Sequence, residues 1–287
     1  MNTKKRTAVL LFSSPDQTGL VTRLTQLVYE YGGNILDLNE HVGPEEKIFS
    51  IRIAWDINNF KVAPSKVWDL FEPLATEVGG RGEVHFLEDP TRAAIFVSKY
   101  DHCLQEILWR NKTNEFPMEI GLVISNHPDL KALTEQHNIP FYCFPKSKQN
   151  ILDQEKAELA LLQEHRINTV VLARYMQILS PSFVRKYPSK IINIHHSFLP
   201  AFIGSNPYRQ AYRRGVKIIG ATSHYVTDDL DEGPIIAQDV IQISHKDTLN
   251  DLIRKGRDLE RLVLARALRS HFEHRVLVRG LKTIVFD

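Results

Sequence analysis

Five short runs, Ala93 to Ser98, Ile120 to Ser125, Phe141 to Phe144, Thr169 to Leu172 and Lys190 to His195, are almost continuously apolar, and stretches of helical periodicity lie between them. Strands that are apolar on both faces need cover on both faces, as in a parallel sheet with helices on either side. The rhythm therefore predicts βαβ units and a mostly parallel, open α/β sheet from residue 93 onward. The connecting helices are expected at Cys103 to Arg110, Leu130 to His137 and Asp153 to His165, with a shorter one opened by Ser180-Pro181. Beyond His195 come a polar loop, a helix at Tyr208 to Arg214, strands at Val216 to Thr227 and Pro234 to Ile243, and a long amphipathic helix at Asp247 to Arg269. The tail Val276 to Phe286, interrupted by Arg279-Gly280, reads as a hairpin or edge strands.

The first ninety residues follow a different plan. Thr7 to Ser13 reads as a strand and Gly19 to Tyr31 as a helix, with Leu20, Leu24, Leu27, Val28 and Tyr31 on one face. Gly32-Gly33 stops that helix as a left-handed cap. Strands at Asn34 to Val42 and Lys47 to Trp55 are joined through Gly43-Pro44-Glu45-Glu46. A helix follows from about Pro64, and a last strand at Glu83 to Leu87 completes a ferredoxin-like βαββαβ unit. The expected division is residues 1–88 and residues 93–287, with Asp89-Pro90-Thr91-Arg92 as linker. A length of 287 residues suits two cores better than one.

Composition excludes several classes. With 36 Lys+Arg against 34 Asp+Glu, the chain lacks the basic excess of a nucleic-acid binder. No run of about 18 apolar residues predicts a membrane span, and no secretory signal is recognisable, so the chain reads as cytoplasmic. Cys103 and Cys143 form no C-x-x-C, which leaves neither a disulfide framework nor a zinc ribbon.

The most informative segment is Ile191 to Pro200. Asn193 and His195 stand two apart at the end of an expected buried strand, so both side chains leave the same face. In open α/β sheets, ligands bind beyond the carboxyl ends of strands. An amide beside an imidazole suits a carbonyl under nucleophilic attack, one group binding the developing oxyanion and the other moving protons. The bland alternative is a buried polar pair satisfied by backbone. The cluster Asp228-Asp229-Leu230-Asp231-Glu232 is either a solvated loop or the source of a carboxylate that orients His195. His224, inside a strand, reads as structural. The doublet His195-His196 does not read as a metal site, because alternation points the rings to opposite sides and no third ligand accompanies them. Ala173 to Leu179 is apolar enough to line a flat aromatic ligand, or is an ordinary packing corner.

Together, Asn193-Ile194-His195-His196-Ser197-Phe198-Leu199-Pro200, Asn206-Pro207-Tyr208 and Leu230-Asp231-Glu232-Gly233-Pro234-Ile235-Ile236 resemble the folate-dependent formyltransferase superfamily, and within it the deformylases of 10-formyltetrahydrofolate. Pro15-Asp16-Gln17-Thr18-Gly19-Leu20-Val21 and Gly32-Gly33-Asn34-Ile35 resemble the ACT regulatory module, so the likeness covers nearly the whole chain. It implies that the catalytic Asn-x-His pair falls on Asn193 and His195 and the loop aspartate on Asp231. It also implies a folate pocket walled by Arg174, Tyr175, Met176, Gln177, Ile178 and Leu179, with Thr227, Asp228 and Asp229 supplying backbone hydrogen bonds to the pterin. Gln177 stands where glycinamide ribonucleotide transformylases usually carry Arg.

The implied reaction is hydrolysis of 10-formyltetrahydrofolate to tetrahydrofolate and formate, with no metal and no cofactor beyond the folate substrate. The ACT resemblance implies an amino-acid effector near Asp16, Gly19, Leu20 and Asn34 at a subunit interface of a homo-oligomer; the alternative is a purely structural dimerisation module. Two rival functions are formyl transfer to an amine such as glycinamide ribonucleotide, and a catalytically silent folate or amino-acid sensor. Against transfer, the turn Ser98-Lys99-Tyr100-Asp101-His102-Cys103-Leu104 contains no glycine, whereas a phosphorylated acceptor is held by a glycine-rich nest. Tyr100 and His102 are expected to occupy the acceptor space.

Overall fold

The computed structural model describes residues 6–89, 91–147, 149–201 and 207–287. The chain divides into two units. The first holds the chain up to residue 90 with Ser270–Leu277 and Ile284–Asp287, and the second holds Thr91–Arg269 and Val278–Thr283. Sequence alone assigns all of 93–287 to the second unit; the structure differs at the C-terminus, where Ser270–Leu277 and Ile284–Asp287 pack with the first.

The first unit runs β1 (Thr7–Pro15), α1 (Leu20–Glu30), β2 (Asn34–Val42), β3 (Ile48–Asp56), a 3-10 turn at Pro64–Lys66, α2 (Val67–Val78) and β4 (Arg81–Phe86). Its antiparallel sheet has the order β2-β3-β1-β4, a ferredoxin-like arrangement with β3 and β1 central. One face carries Leu10, Phe12, Ile51, Ile53 and Trp55, packed with Leu20, Leu24 and Val28 of α1 and Phe71, Leu74 and Val78 of α2. Such side chains each contribute roughly 1.5–3 kcal/mol when fully buried. The helix α1 stops as its glycines require: Gly32 has φ 82, and the amides of Gly33 and Gly32 donate to Val28 O and Tyr29 O, both at 2.9 Å.

β1 and β3 are buried along almost their whole length rather than on alternate residues. The reason is that Leu277 and Phe286 from the C-terminal segments cluster with Leu11, with Ile284 beside them. The buried Arg52 of β3 donates to His274 O at 3.0 Å and Glu273 O at 3.2 Å, and pairs with Asp37. Apolar packing and a guanidinium on late backbone carbonyls therefore tie the chain end to the first unit.

The second unit runs β5 (Thr91–Val97), α3 (His102–Lys112), β6 (Met118–Ser125), α4 (Lys131–Glu135), β7 (Phe141–Cys143), α5 (Ile151–Glu164), β8 (Thr169–Leu172), α6 (Pro181–Val184), β9 (Ile191–His195), α7 (Pro207–Arg214), β10 (Ile218–Tyr225), β11 (Ile235–Gln242) and α8 (Leu249–Phe272), which reaches into the first unit at its end. The seven-stranded order is β11-β10-β9-β8-β5-β6-β7. Strands β5 to β9 run parallel, and β10 and β11 add antiparallel. Strand order reverses between β5 and β8, so a crevice opens at their carboxyl ends. The tail forms the expected hairpin of β12 (Val276–Arg279) and β13 (Lys282–Val285).

One boundary is corrected. Thr91 and Arg92, read as linker, already belong to β5, where the Arg92 amide donates to Asn168 Oδ1 and the Asn168 amide to Arg92 O, each at 2.8 Å. Pro90 lies outside the described residues.

Candidate active site

β9 delivers Asn193 and His195 to one face, and the antiparallel neighbour β10 sets His224 opposite Asn193 and Thr222 opposite His195. The connection from β10 to β11 carries the acidic cluster. It folds back sharply: the Tyr225 amide donates to Pro234 O at 2.9 Å, and a Cβ on Gly233 would lie 1.7 Å from Tyr225 O. Only glycine fits there. With the loop so closed and Asp231 in the left-handed region at φ 58, the Asp231 carboxylate meets two imidazoles. Its Oδ2 is 3.2 Å from His195 Nδ1, and its Oδ1 is 3.6 Å from His224 Nε2.

The hydrogen bonds fix proton positions. A carboxylate only accepts, so His195 Nδ1 carries a proton toward Asp231. His195 Nε2 is buried and has no hydrogen-bond partner among the described residues. His224 Nδ1 lies 2.9 Å from Tyr225 O, again an acceptor, so Nδ1 carries a proton; Nε2 accepts from Asn193 Nδ2 at 3.1 Å in the neutral ring and donates toward Asp231 Oδ1 at 3.6 Å in the charged one. That leaves the second N–H of the Asn193 amide for a ligand. Sequence reading took His224 as structural and missed this contact. Its available signal was position, since a residue of β10 paired with the Asn-x-His strand lies beside that pair.

Burial alone would push the Asp231 carboxyl up, but hydrogen bonds and charge attraction from His195 and His224 outweigh it, and the group is held well below the usual carboxylate range. His196 is pushed down to about 3, chiefly by burial and then by the Arg174 charge, so its ring is neutral near pH 7. The expected divergence of His195 and His196 is not found: their centroids lie 5.4 Å apart. The strand ends at His195, so alternation no longer governs the next residue.

A recess of about 340 Å³ opens over these groups. Asn193, His195, His196, His224 and Asp231 line it together with Arg174, Tyr175, Met176, Gln177, Ile178, Leu179, Thr227, Asp228 and Asp229. Tyr175 and Leu179 also join the core beneath, while Met176 and Ile178 remain 53% and 70% exposed, an apolar surface of the kind a flat ring covers. The 174–180 segment is held from two sides. The Met176 amide donates to Ser98 Oγ at 3.0 Å, and Ser98 bonds Asn126 at 2.7 Å. On the other side the Ser180 amide donates to Glu155 at 2.9 Å, and Tyr175 OH reaches Glu158, which is paired with the buried Lys146 at 3.0 Å. These buried glutamates on α5 were not legible as anchors in a helix read only for its apolar face.

A second ionic cluster borders the recess through Arg174. Glu260 of α8 is fully buried, 2.8 Å from His102 Nε2, hydrogen-bonded by Tyr208 OH and 3.4 Å from Arg174 Nε. Tyr208 reaches it by lying against Gly256, where a Cβ would stand 2.2 Å from the Tyr208 hydroxyl. The Tyr100 ring is flanked by the guanidinium groups of Arg174 and Arg257, at 5.4 and 5.1 Å. Cys103 lies within 4.8 Å of the His102 and Glu260 ligand atoms, but its thiol is pushed well up by burial, and the carboxylate is already balanced by Arg174.

In the first unit Asp16 and Asn34 are exposed and Gly19 has φ 90 ahead of α1, whereas the Leu20 side chain is 2% exposed and belongs to the core. Leu20 is thus corrected from a ligand contact to a packing residue. Asn206, part of the Asn-Pro-Tyr motif, lies outside the described residues.

Known proteins match this arrangement. The family described as Formyl transferase matches residues 91–268. The formyltetrahydrofolate deformylase of Synechocystis sp. is 52% identical over 280 residues, 98% of each chain, and that of Bacillus subtilis 47% identical over 97% of this chain and 93% of its own. Among solved structures, the formyltetrahydrofolate deformylase of Pseudomonas syringae pv. tomato aligns with a TM-score of 0.96 at 40% identity, covering 100% of this chain and 96% of that one. Glycinamide ribonucleotide transformylase 1 from Symbiobacterium toebii aligns at 0.65 and 30% identity, covering 71% of this chain and 97% of that one. With the formyl transferase match spanning the sheet that carries Asn193, His195 and Asp231, and deformylases matching along nearly its full length, the chain belongs to the formyltetrahydrofolate deformylase family.

Proposed function

We propose that this chain hydrolyses 10-formyltetrahydrofolate to tetrahydrofolate and formate. The observation that carries the reading is the convergence of Asn193, His195 and Asp231, distant in sequence, on one recess, with His195 Nδ1 held by Asp231 and its Nε2 unpartnered. The pterin lies against Met176 and Ile178, with backbone of the 227–229 stretch bonding its edge. As water attacks the formyl carbon, the Asn193 amide and the protonated His195 Nε2 bind the growing oxyanion. Asp231, kept anionic, holds His195 and orients the water. Collapse breaks the bond from carbon to N10 as N10 takes a proton. These donors suffice for amide hydrolysis, so the proposal includes no metal and no redox cofactor.

Water rather than an amine is the acceptor in this reading. Tyr100, Arg174, His102 and Glu260 pack against one another beside the recess, and the Ser98 to Leu104 turn offers no glycine nest. The first unit is proposed to bind an amino-acid effector around Asp16, Gly19 and Asn34 in a homo-oligomer, and the protein to work in the cytoplasm; no helix among the described residues is long and apolar enough to cross a membrane. The test is formate release from 10-formyltetrahydrofolate with and without glycinamide ribonucleotide. Hydrolysis predicts equal formate in both, and formylation of the amine faster than formate release would replace this reading by the transferase one.

A further inference from the structure

Arg174 is more than a wall residue. It holds φ 62, a left-handed conformation that strains a long side chain, so its presence calls for a compensating role. Its side chain is 9% exposed, and Nε and Nη1 have no hydrogen-bond partner among the described residues. Glu260, 3.4 Å from Nε and already bonded by His102 and Tyr208, balances the Arg174 charge but leaves Nη1 without a hydrogen bond. The guanidinium carbon lies 5.4 Å from the centroid of the Tyr100 ring, a cation–π contact. The other orphaned buried nitrogen at the recess is His195 Nε2, and both residues line the same recess.

We propose that Arg174 Nη1 and His195 Nε2 form an anion subsite that receives the formate product. The inference rests on the hydrolytic reading above. In that reaction the water oxygen joins the formyl carbon, the bond from carbon to N10 breaks, one water proton goes to N10 and the other is released, leaving formate as a monoanion. A carboxylate formed in a closed site needs charged donors, and Arg174, although paired with Glu260 through Nε, keeps an Nη1 that no hydrogen bond among the described residues uses. The neutral ring of His196, whose charging is opposed by burial and by Arg174, adds no further cation there.

The test measures formate affinity of the full chain twice, by inhibition of turnover and by saturation transfer to the formate proton, at constant ionic strength with chloride as control. Formate is expected to bind more tightly than chloride, Arg174→Met to weaken it at least about tenfold, and Arg174→Lys to keep most of it. Because Arg174→Met leaves Glu260 uncompensated, the double variant Arg174→Met/Glu260→Gln, checked for folding by circular dichroism, is measured alongside and should show the same loss. Formate no better than chloride in the wild type, or equal formate affinity with and without Arg174, overturns the subsite. The saturation-transfer arm needs no turnover. Formate binding that depends on Arg174 in a protein that releases no formate would uphold the subsite and overturn the hydrolytic reading, and turnover with formate binding indifferent to Arg174 would do the reverse.

Discussion

Asp231 and Glu260 are two carboxylates of the second unit, each gripped by a histidine and at least one further group, and they differ in what lies on their open side. Asp231 rides a loop, lines the recess, and holds an imidazole whose far nitrogen is unpartnered. Glu260 is locked in a helix, with His102, Tyr208 and Arg174 around it. In Glu260, burial pushes the carboxyl up, but the hydrogen bond from His102 and the charge of Arg174 more than offset it, so it too stays ionised. Ionisation and burial therefore do not separate a working carboxylate from a structural one. The unsatisfied partner beside it does.

That contrast predicts opposite phenotypes. Asp231→Asn should cut turnover by about a thousandfold, the scale at which a group acting on transition-state charge is lost, while urea unfolding changes little. Comparable turnover in Asp231→Asn would break the distinction. Glu260→Gln should cost about 3 kcal/mol in urea unfolding, because it leaves Arg174 and His102 buried without their anion, with turnover of the folded fraction within about tenfold of wild type. A variant as stable as the wild type would show that the cluster is not the lock described.

Legibility followed the same line. Asn193 and His195 were readable as a pair because strand alternation puts them on one face, and the acidic loop stood out between two apolar runs, but only the resemblance to formyltransferases singled out Asp231 within it and gave the three their roles. Glu260 was not, since the long amphipathic helix gives no sign which of its charges turns inward; that depends on Gly256 admitting Tyr208. Most strands were legible within two residues, because runs such as Thr169–Leu172 are apolar without interruption. The return of Leu277 and Phe286 to the first unit was not, because sequence periodicity says which residues are buried and not against which sheet.

Two smaller effects sharpen the comparison on the Asp231 side. His224→Phe should lower kcat by about 10- to 100-fold, with KM for the folate nearly unchanged, since the Asn193 amide loses the acceptor that orients it; a matching rise in KM alone would assign His224 to binding instead. His196 gives the least effect, and its sign is definite. Its folded pKa of about 3 lies below the ordinary value of 6.5, so between those values the unfolded chain binds more protons and stability falls as pH is lowered. His196→Gln should flatten melting temperature against pH in that window. Part of the slope will remain, because His274 in the first unit is also held at about 3 by burial and by the charges of His85 and His271. An unchanged slope would mean that His196 is charged in the folded protein.

The central claim is that Asp231 positions water to attack the formyl carbon while the Asn193 amide and His195 Nε2 bind the oxyanion. Turnover of 10-formyltetrahydrofolate in water enriched in oxygen-18 tests it most directly, with the formate analysed by mass spectrometry before it exchanges. The account predicts one solvent oxygen in each formate and one tetrahydrofolate per formate; formate without solvent oxygen, or tetrahydrofolate formed in excess of formate, would contradict it.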